Sequence, residues 1–212
     1  KIYWLNGHGE ARFDDYDPDT GYSDLARAIT QHGFALNNLP LWERHAVPDD
    51  AAVLILAAPQ YALTGEETTL LQEYLNRGGA LLYLAPPHSA PSIKDLLSRW
   101  GIIVTPLRAT DSQTVSGNDL VISNYGEHPI TRGLENAITI FLAPKCLQTV
   151  AFGDATAVDR IRITPLLQTT AGGRGKLDAG PQANLDEIVD IAGPLTIAVA
   201  AERGGGTLSD LG

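Results

Sequence analysis

The chain has 212 residues, of which 44% are hydrophobic and 19% charged, a composition that is typical of globular folds and excludes disordered and fibrous classes. Its formal net charge is −10, and the 15 Lys and Arg residues form no cluster. The sequence therefore disfavours nucleic acids and anionic membrane surfaces as partners. A single cysteine, Cys146, excludes an internal disulfide and a cysteine-based zinc site, and it leaves the cellular compartment open.

From the start of the sequence and its lack of methionine, we expect it to be a piece of a longer protein. It opens within an apparent strand, and it contains no methionine and no signal peptide. The longest apolar run, residues 51–59, is shorter than the about 20 residues of a membrane-spanning helix. We expect any membrane anchor of the parent protein to lie outside this sequence.

The first 108 residues predict strands that alternate with helices. The first helix is predicted to begin at an N-cap, Ser23, and to end at Gly33. The second begins with a capping box formed by Thr64 and Glu67. A third helical face is predicted over residues 93–100. The predicted strands are residues 1–5, 34–39, 53–57, 80–84 and 102–105.

These strands are continuous apolar runs, which is typical of a parallel sheet that is covered on both faces. The predicted fold class is therefore α/β, with a flavodoxin-like, doubly wound, mainly parallel sheet in residues 1–108. Residues 109–212 predict a β-rich extension that either continues this domain or forms a subdomain. Its strands are predicted at residues 120–123, 138–142, 147–150, 164–169 and 195–200, with weak helical periodicity at 185–191.

The motif Gly7-His8-Gly9-Glu10 follows the first predicted strand. Ligands of open parallel sheets gather outside the carboxyl ends of the strands, which favours a site here. His8 and Glu10 are residue types that bind metals or move protons. The structural alternative is a tight turn in which His8 hydrogen-bonds a neighbouring carbonyl group.

Tyr61 and His88 also follow predicted strands, so we expect them to share this edge with His8. The alternative for His88 and Ser89 is a polar segment that leads into the next helix. His128 precedes Pro129 in a predicted turn and is assigned no role.

Three further patterns favour structural interpretations. The acidic residues at positions 14, 15, 17 and 19 have part of the spacing of a calcium loop, but Ala26 stands where a bidentate Glu is needed. Cys146 lacks the helix that follows a nucleophile elbow, so we expect a small, partly buried side chain. The glycine-rich run at residues 172–176 lacks the ending of a phosphate-binding loop, and residues 171–184 predict a mobile loop.

The order of several short motifs along the chain is informative about the family of the protein. They are Gly7-His8-Gly9-Glu10, the segments 25–34, 47–59 and 63–82, Trp100-Gly101-Ile102, His128-Pro129-Ile130-Thr131, Leu167-Gln168-Thr169-Thr170 and the segment 193–200. Together they cover nearly the whole chain. Their order and spacing resemble the soluble domain of the uncharacterised ABC-type transport auxiliary proteins of the gliding-motility type.

This resemblance implies a fold similar to that of class I glutamine amidotransferases. It also implies a membrane-anchored parent outside the cytoplasm that works beside ABC-transporter membrane or ATPase subunits. Amidotransferases carry their nucleophilic cysteine after a central strand, where this chain has Ala85-Pro86-Pro87. We therefore expect no enzymatic activity. We also expect a further strand after residue 200, which this sequence does not supply.

The sequence accordingly predicts a non-catalytic, periplasmic binding domain of an ABC-transporter auxiliary protein, without a cofactor. Its partner is a transporter subunit, or a small polar ligand or glycan bound by His8, Glu10, Tyr61 and His88. One alternative is a hydrolase that uses His8, Glu10 and His88 around a metal ion. Another is a pure scaffold, which predicts a large exposed apolar patch or an unpaired sheet edge in the β-rich half.

Overall fold

The computed structural model describes residues 1–18, 20–86, 93–112, 119–150, 161–177 and 191–204. The chain is a mixed α/β protein that divides into two compact units, Lys1–Leu96 and Leu97–Gly212. The first unit is built on a parallel sheet and the second on antiparallel strands.

The first unit contains a four-stranded parallel sheet with the order β2-β1-β3-β4. Its strands are β1 (Ile2–Asn6), β2 (Leu36–Pro40), β3 (Val53–Ala57) and β4 (Ala80–Leu84). The helices are α1 (Ser23–Gln31), α2 (Leu41–Arg44), α3 (Gly65–Asn76) and, across the boundary between the units, α4 (Lys94–Arg99). The prediction of a parallel sheet is confirmed for these four strands.

The core of the first unit lies on both faces of this sheet. Successive residues of a strand point to opposite faces, and Leu54, Ile55, Leu56 and Ala57 are all buried. On one face the ring of Trp4 packs against Phe13 and Tyr22, with ring centroids 5.7 and 5.5 Å away. Burial on both faces explains why β3 is continuously apolar.

The two helix starts predicted in this unit have different outcomes. The capping box of α3 is confirmed: Thr64 Oγ1 accepts a hydrogen bond from the Glu67 backbone N–H. The N-cap prediction for α1 is wrong, because Tyr22 holds that position and Ser23 is the first helical residue. The reason lies in the preceding loop, whose Asp15 carbonyl already accepts the hydrogen bond of the Ser23 backbone N–H.

The second unit contains a six-stranded antiparallel sheet with the order β11-β10-β5-β8-β12-β9 and a separate two-stranded sheet of β6 and β7. The 3-10 helix η1 (Pro129–Thr131) lies between β6 and β7. The strands are β5 (Ile102–Thr110), β6 (Asp119–Ile122), β7 (Thr139–Leu142), β8 (Lys145–Thr149), β9 (Ile161–Gln168), β10 (Arg174–Leu177), β11 (Ile191–Ala192) and β12 (Thr196–Arg203).

Strand β5 differs from its prediction. Residues 102–105 were expected in the parallel sheet, but β5 is longer and pairs antiparallel with β8 and β10. Alternate residues along its second half, Thr105, Leu107 and Ala109, are buried. This alternation is typical of an antiparallel strand with one covered face.

The glycine-rich run also differs from its prediction as a mobile loop. Residues Arg174–Leu177 form β10, which pairs with β5 and β11. A Cβ atom on Gly175 would lie 3.4 Å from Leu107 and 3.5 Å from Cys146 Sγ, so this glycine packs directly on the core. The remainder of the predicted loop, residues 178–184, and most of the weak helical pattern, residues 185–190, lie outside the described residues.

Candidate functional site

The carboxyl ends of three parallel strands place three segments of the first unit at one edge of the sheet. Residues 7–10 follow β1, helix α2 follows β2, and residues 58–64 connect β3 to α3. Strands β1 and β3 are neighbours, while the connections from β1 and β3 lead to opposite sides of this pair. This is the topological position at which open α/β sheets place their ligands.

Backbone hydrogen bonds join two of these segments. The His8 carbonyl accepts hydrogen bonds from the backbone N–H groups of Gln60 and Tyr61, at 2.8 and 3.0 Å. The Ala11 N–H donates to the Ala57 carbonyl at 2.9 Å. The segments after β1 and β3 are therefore held against each other along their length.

Two glycines allow aromatic side chains to approach this backbone closely. Gly7 has φ +122°, and a Cβ atom there would lie 2.5 Å from Trp42 Cδ1. Gly9 has φ +71°, and a Cβ atom there would lie 3.3 Å from Tyr61 Cε2. Both positions have a positive φ that favours glycine. At Gly7 the ring of Trp42 fills the space that a Cβ atom would need, whereas at Gly9 Gln60 Cβ, 3.0 Å from a Cβ atom there, is nearest and the Tyr61 ring packs just beyond it.

His8 lies between two buried carboxylates. Its Nε2 atom is 3.1 Å from Glu67 Oε2, and its Nδ1 atom is 3.5 Å from Glu10 Oε1. The side chains of both glutamates are 3% exposed. Each ring nitrogen of His8 therefore faces one carboxylate. We call His8, Glu10 and Glu67 the carboxylate–histidine cluster.

Each glutamate of this cluster is also fixed by backbone groups. Glu10 Oε2 accepts a hydrogen bond of 2.7 Å from the His8 N–H. Glu67 Oε2 accepts hydrogen bonds from the Thr64 N–H and hydroxyl, at 2.8 and 2.7 Å, as part of the capping box. The second oxygen of each carboxylate, Oε1, is buried without a hydrogen-bond donor in the described part of the chain. The cluster therefore holds the loop after β1 on the N-terminus of α3, where negative charge is favoured.

Two large aromatic side chains are exposed at this edge, beside polar ones such as Arg44 and Gln60. Trp42 is 53% exposed and Tyr61 is 70% exposed, whereas the side chains of His8 and Glu10 are 13% and 3% exposed. Sequence reasoning identified Tyr61 and missed Trp42, because the contact with Gly7 joins segments that are distant in sequence. It identified Glu67 only as a helix cap.

The remaining candidate residues lie elsewhere or outside the described residues. His88 and Pro87 are among the residues that the structure does not describe. Ala85 and Pro86 follow β4, and neither has a nucleophilic side chain. Cys146 is buried in the second unit, where burial raises the pKa of its thiol to about 11. Such a thiol is a poor nucleophile at neutral pH.

The described residues contain no ligand set for a metal ion. No group of three or more His, Cys, Asp or Glu side chains among them is arranged to hold one. In the acidic loop, Asp17 Oδ1 instead accepts hydrogen bonds from the Thr20 N–H and hydroxyl, at 2.8 and 2.9 Å. The hydrolase alternative stays a prediction, because its third residue, His88, lies outside the described residues.

The architecture defines the class of this protein as mixed α/β, with a parallel sheet whose carboxyl edge carries exposed aromatic side chains. The chain belongs to the family described as ABC-type uncharacterized transport system, whose model matches residues 1–204. The resemblance to ABC-type transport auxiliary proteins is thereby confirmed. No curated protein matches the sequence.

Two solved structures are similar to this chain at low sequence identity. The "mmIFT52 N-terminal domain" is 16% identical, with a TM-score of 0.61, over 82% of this chain and 74% of that one. This likeness shows the fold alone. A beta-galactosidase from Bifidobacterium adolescentis is 13% identical over 99% of this chain and 93% of that one, and its TM-score of 0.31 carries no argument. Among the described residues, no helix is both long and apolar enough to cross a membrane.

Proposed function

We propose that this chain is a non-catalytic, extracytoplasmic domain of a membrane-anchored ABC-transporter auxiliary protein. In this proposal, the exposed aromatic pair Trp42 and Tyr61 binds a membrane or ATPase-complex subunit of the transporter. Membership of an ABC-type transport family supports the transporter as partner. The observation that carries the proposal is the seating of both rings on the glycine loop after β1.

The chemistry of these two side chains supports a protein partner. Trp and Tyr dominate the binding energy of protein interfaces, because each buries a large area with few rotatable bonds. Here the backbone beneath them is fixed by the two hydrogen bonds to the His8 carbonyl and by the buried carboxylate–histidine cluster. A prearranged surface loses less conformational entropy when a partner binds.

We propose a domain without catalysis because of the side chains that stand where a reaction would need a nucleophile or a base. Ala85 and Pro86 occupy the place where related amidotransferases would need a nucleophile. The thiol of Cys146 is buried in the core of the other unit. His8 is engaged by two carboxylates of its own chain.

The proposed ancestry of the first unit is a flavodoxin-like domain of the glutamine amidotransferase type. Its strand order, β2-β1-β3-β4, is the same as that of the first four strands in the five-stranded flavodoxin-like order. Among the described residues the parallel sheet has four strands, and the next strand of the chain, β5, belongs to the antiparallel sheet.

Site-specific photo-crosslinking in cells tests the proposed interface. A photoreactive phenylalanine analogue replaces Trp42 or Tyr61 in the full parent protein, and the crosslinked products are identified by mass spectrometry. Phe34 is the matched control, because it is an exposed aromatic residue of the same unit next to the opposite end of β2. We expect a transporter subunit to be captured from positions 42 and 61 only. Capture of the same subunit from position 34, or of none from any position, contradicts the proposal.

A second candidate function is an interaction domain that assembles with a second copy of itself through β7. Ile140 and Leu142 of this strand are 52% and 64% exposed, and Ile138, just before it, is 70% exposed. Residues 137–144 contain no charged side chain, although edge strands usually carry charges that prevent pairing. Such an edge is suited to antiparallel pairing with its own copy about a two-fold axis.

Sedimentation velocity tests this second candidate. We expect a dimer for the unmodified chain and a monomer for Ile140→Lys. Val150→Lys is the matched control, because Val150 is also an exposed apolar residue of the second unit, 48% exposed. A monomer at every concentration of the unmodified chain rejects this function.

A further inference from the structure

The second unit contains a groove whose lining residues have no part in the functions proposed above. Its volume is about 610 Å³, within the range of small-molecule sites. The groove is formed by the segment between β6 and η1 and by the residues just after η1. It is lined mainly by polar side chains, which include Asn124, Tyr125, Glu127, His128, Arg132 and Glu135.

The wall of this groove is fixed to β9. The Gly126 N–H donates to the Leu166 carbonyl at 2.8 Å, and a side chain at position 126 would overlap the Pro165 carbonyl. The hydroxyl of Thr131 donates to the Gly126 carbonyl at 2.6 Å. The backbone of the groove is thus held in place before any ligand arrives, which lowers the entropy cost of binding.

His128 contributes a donor to this region. Its side chain is 8% exposed, and its Nδ1 atom accepts a hydrogen bond of 3.2 Å from the Ile130 N–H. In the neutral ring the proton therefore lies on Nε2. Within the described residues Nε2 makes no hydrogen bond, and the Glu202 carboxylate lies 3.6 Å away.

The exposed rim of the groove offers donors and acceptors together. Arg132 carries the five N–H donors of a guanidinium group, and the carboxylates of Glu127 and Glu135 are acceptors. A hydrogen bond from the Gly133 N–H and the nearby charge of Arg132 hold the pKa of Glu135 below its usual range. The carboxylate of Glu135 is therefore an acceptor-only group at neutral pH.

The two carboxylates and the guanidinium group on the rim favour some classes of ligand over others. Two carboxylates on the rim disfavour phosphate and other anions, and a guanidinium disfavours a metal ion. An apolar ligand would desolvate these charged groups without giving them partners. A ligand rich in hydroxyl groups both donates to carboxylates and accepts from a guanidinium, and its apolar ring face can lie on Tyr125.

We propose that this groove binds a neutral sugar, whose hydroxyls donate to Glu127 and Glu135 and accept from Arg132. The site belongs to the second unit, and the proposal does not depend on the transporter interface proposed above. The carboxylates and the guanidinium form its contacts, and the buried His128 fixes the turn that presents them.

Nitrogen-15 amide NMR of the chain tests the proposal. The probes are glucose, galactose, mannose and N-acetylglucosamine, with inorganic phosphate as the anionic comparison. We expect at least one sugar to shift the amide signals of residues 123–135. In Arg132→Ala the dissociation constant for that sugar should rise about tenfold, because one charged hydrogen-bonding group is removed.

Arg99→Ala is the matched control, since Arg99 is an exposed arginine of the same unit that does not line the groove. It should leave the sugar affinity unchanged, and unaltered signals elsewhere in Arg132→Ala should show that this variant is folded. The proposal is overturned if no sugar shifts residues 123–135, if Arg132→Ala binds as tightly as the unmodified chain, or if phosphate alone binds there. Sugar-induced shifts confined to residues 7–10 and 58–61 also overturn it, because they belong to the other unit.

Discussion

The two units present their polar side chains in opposite ways. At the carboxyl edge of the parallel sheet, the side chains of His8, Glu10 and Glu67 are at most 13% exposed, and Trp42 and Tyr61 are among the side chains that meet solvent. In the groove of the antiparallel unit, Arg132 and Glu135 are exposed and the backbone is fixed from behind. Burial therefore separates two tasks: a buried charged group positions the backbone, and an exposed group is available for a partner.

The largest expected effect follows from the removal of Glu67. In Glu67→Ala the capping box is lost, and one of the two carboxylates leaves the buried His8. We expect the free energy of unfolding to fall by about 3 kcal/mol, as when a helix cap is lost and polar groups that are largely buried are left without their partner. Urea unfolding measures this change.

Glu66→Ala is the control for that prediction. The neighbouring carboxylate is 64% exposed and pairs only with the exposed His45, so its loss should cost less than about 0.5 kcal/mol. Equal losses in the two variants would show that the carboxylate–histidine cluster does not stabilise the first unit.

The next effect concerns the glycine beneath Trp42. Gly7 and Gly33 both have positive φ, so alanine costs about 1 kcal/mol at either position. Only at Gly7 does the new Cβ also overlap Trp42, whereas nothing lies within 4 Å at Gly33. We expect thermal or urea unfolding to give a loss of about 2 kcal/mol for Gly7→Ala and about 1 kcal/mol for Gly33→Ala.

A double variant sharpens this comparison. With Trp42→Ala in the background, the extra cost of Gly7→Ala should disappear, because the overlapping ring is gone. An extra cost that persists would mean that Trp42 does not rest on Gly7.

A smaller effect is expected in the second unit from Asp111. Burial opposes the charge of this carboxylate, but hydrogen bonds from Thr170 and Ser112 outweigh it and hold the pKa of Asp111 below its usual range. A lowered pKa stabilises the folded state above the unfolded value of about 3.9, and this stabilisation is lost as the pH falls through the folded value.

Asp111→Asn should therefore cost about 1 kcal/mol at pH 7, after discounting the charged hydrogen bonds for solvent exposure. Urea unfolding at a series of pH values should show the difference between the two proteins shrinking below about pH 4. A difference that stays constant down to pH 2, on the order of two units below the unfolded pKa, would contradict the assignment.

The smallest effect on stability is expected from the aromatic pair. Trp42 and Tyr61 are exposed, so alanine at both positions should change the free energy of unfolding by less than about 0.5 kcal/mol at each site. Circular dichroism melts measure this. A large loss would mean that these rings belong to the core instead of a binding surface.

Much of the first unit follows from local patterns in the sequence. The apolar runs predict β3 and β4 with the same boundaries that the structure has, because both faces of these strands are covered. The capping box of Thr64 and Glu67 is also local, and it places the start of α3. The sequence also predicts that His8 and Glu10 lie close together, because only Gly9 separates them. It places both at the carboxyl edge of the sheet, because they follow β1.

Contacts between distant segments could not be predicted in this way. Nothing near Gly7 in the sequence indicates Trp42, and nothing near His8 indicates Glu67. Strand β10 was missed because its glycine-rich sequence is typical of a loop, whereas the structure uses Gly175 for close packing on Leu107. The pairing of β5 could not be predicted either, because its partners, β8 and β10, come much later in the chain.

The most direct test of the central claim compares the affinity of the transporter complex for two variants of the full parent protein. The first is Trp42→Ala combined with Tyr61→Ala, and the second is Phe34→Ala, both measured by surface plasmon resonance with the purified complex. The account predicts that the double variant raises the dissociation constant at least about 30-fold, the loss of one interface hot spot, while Phe34→Ala leaves it unchanged. Equal affinities for the double variant and the unmodified protein would contradict the claim that this edge of the sheet is the transporter-binding surface.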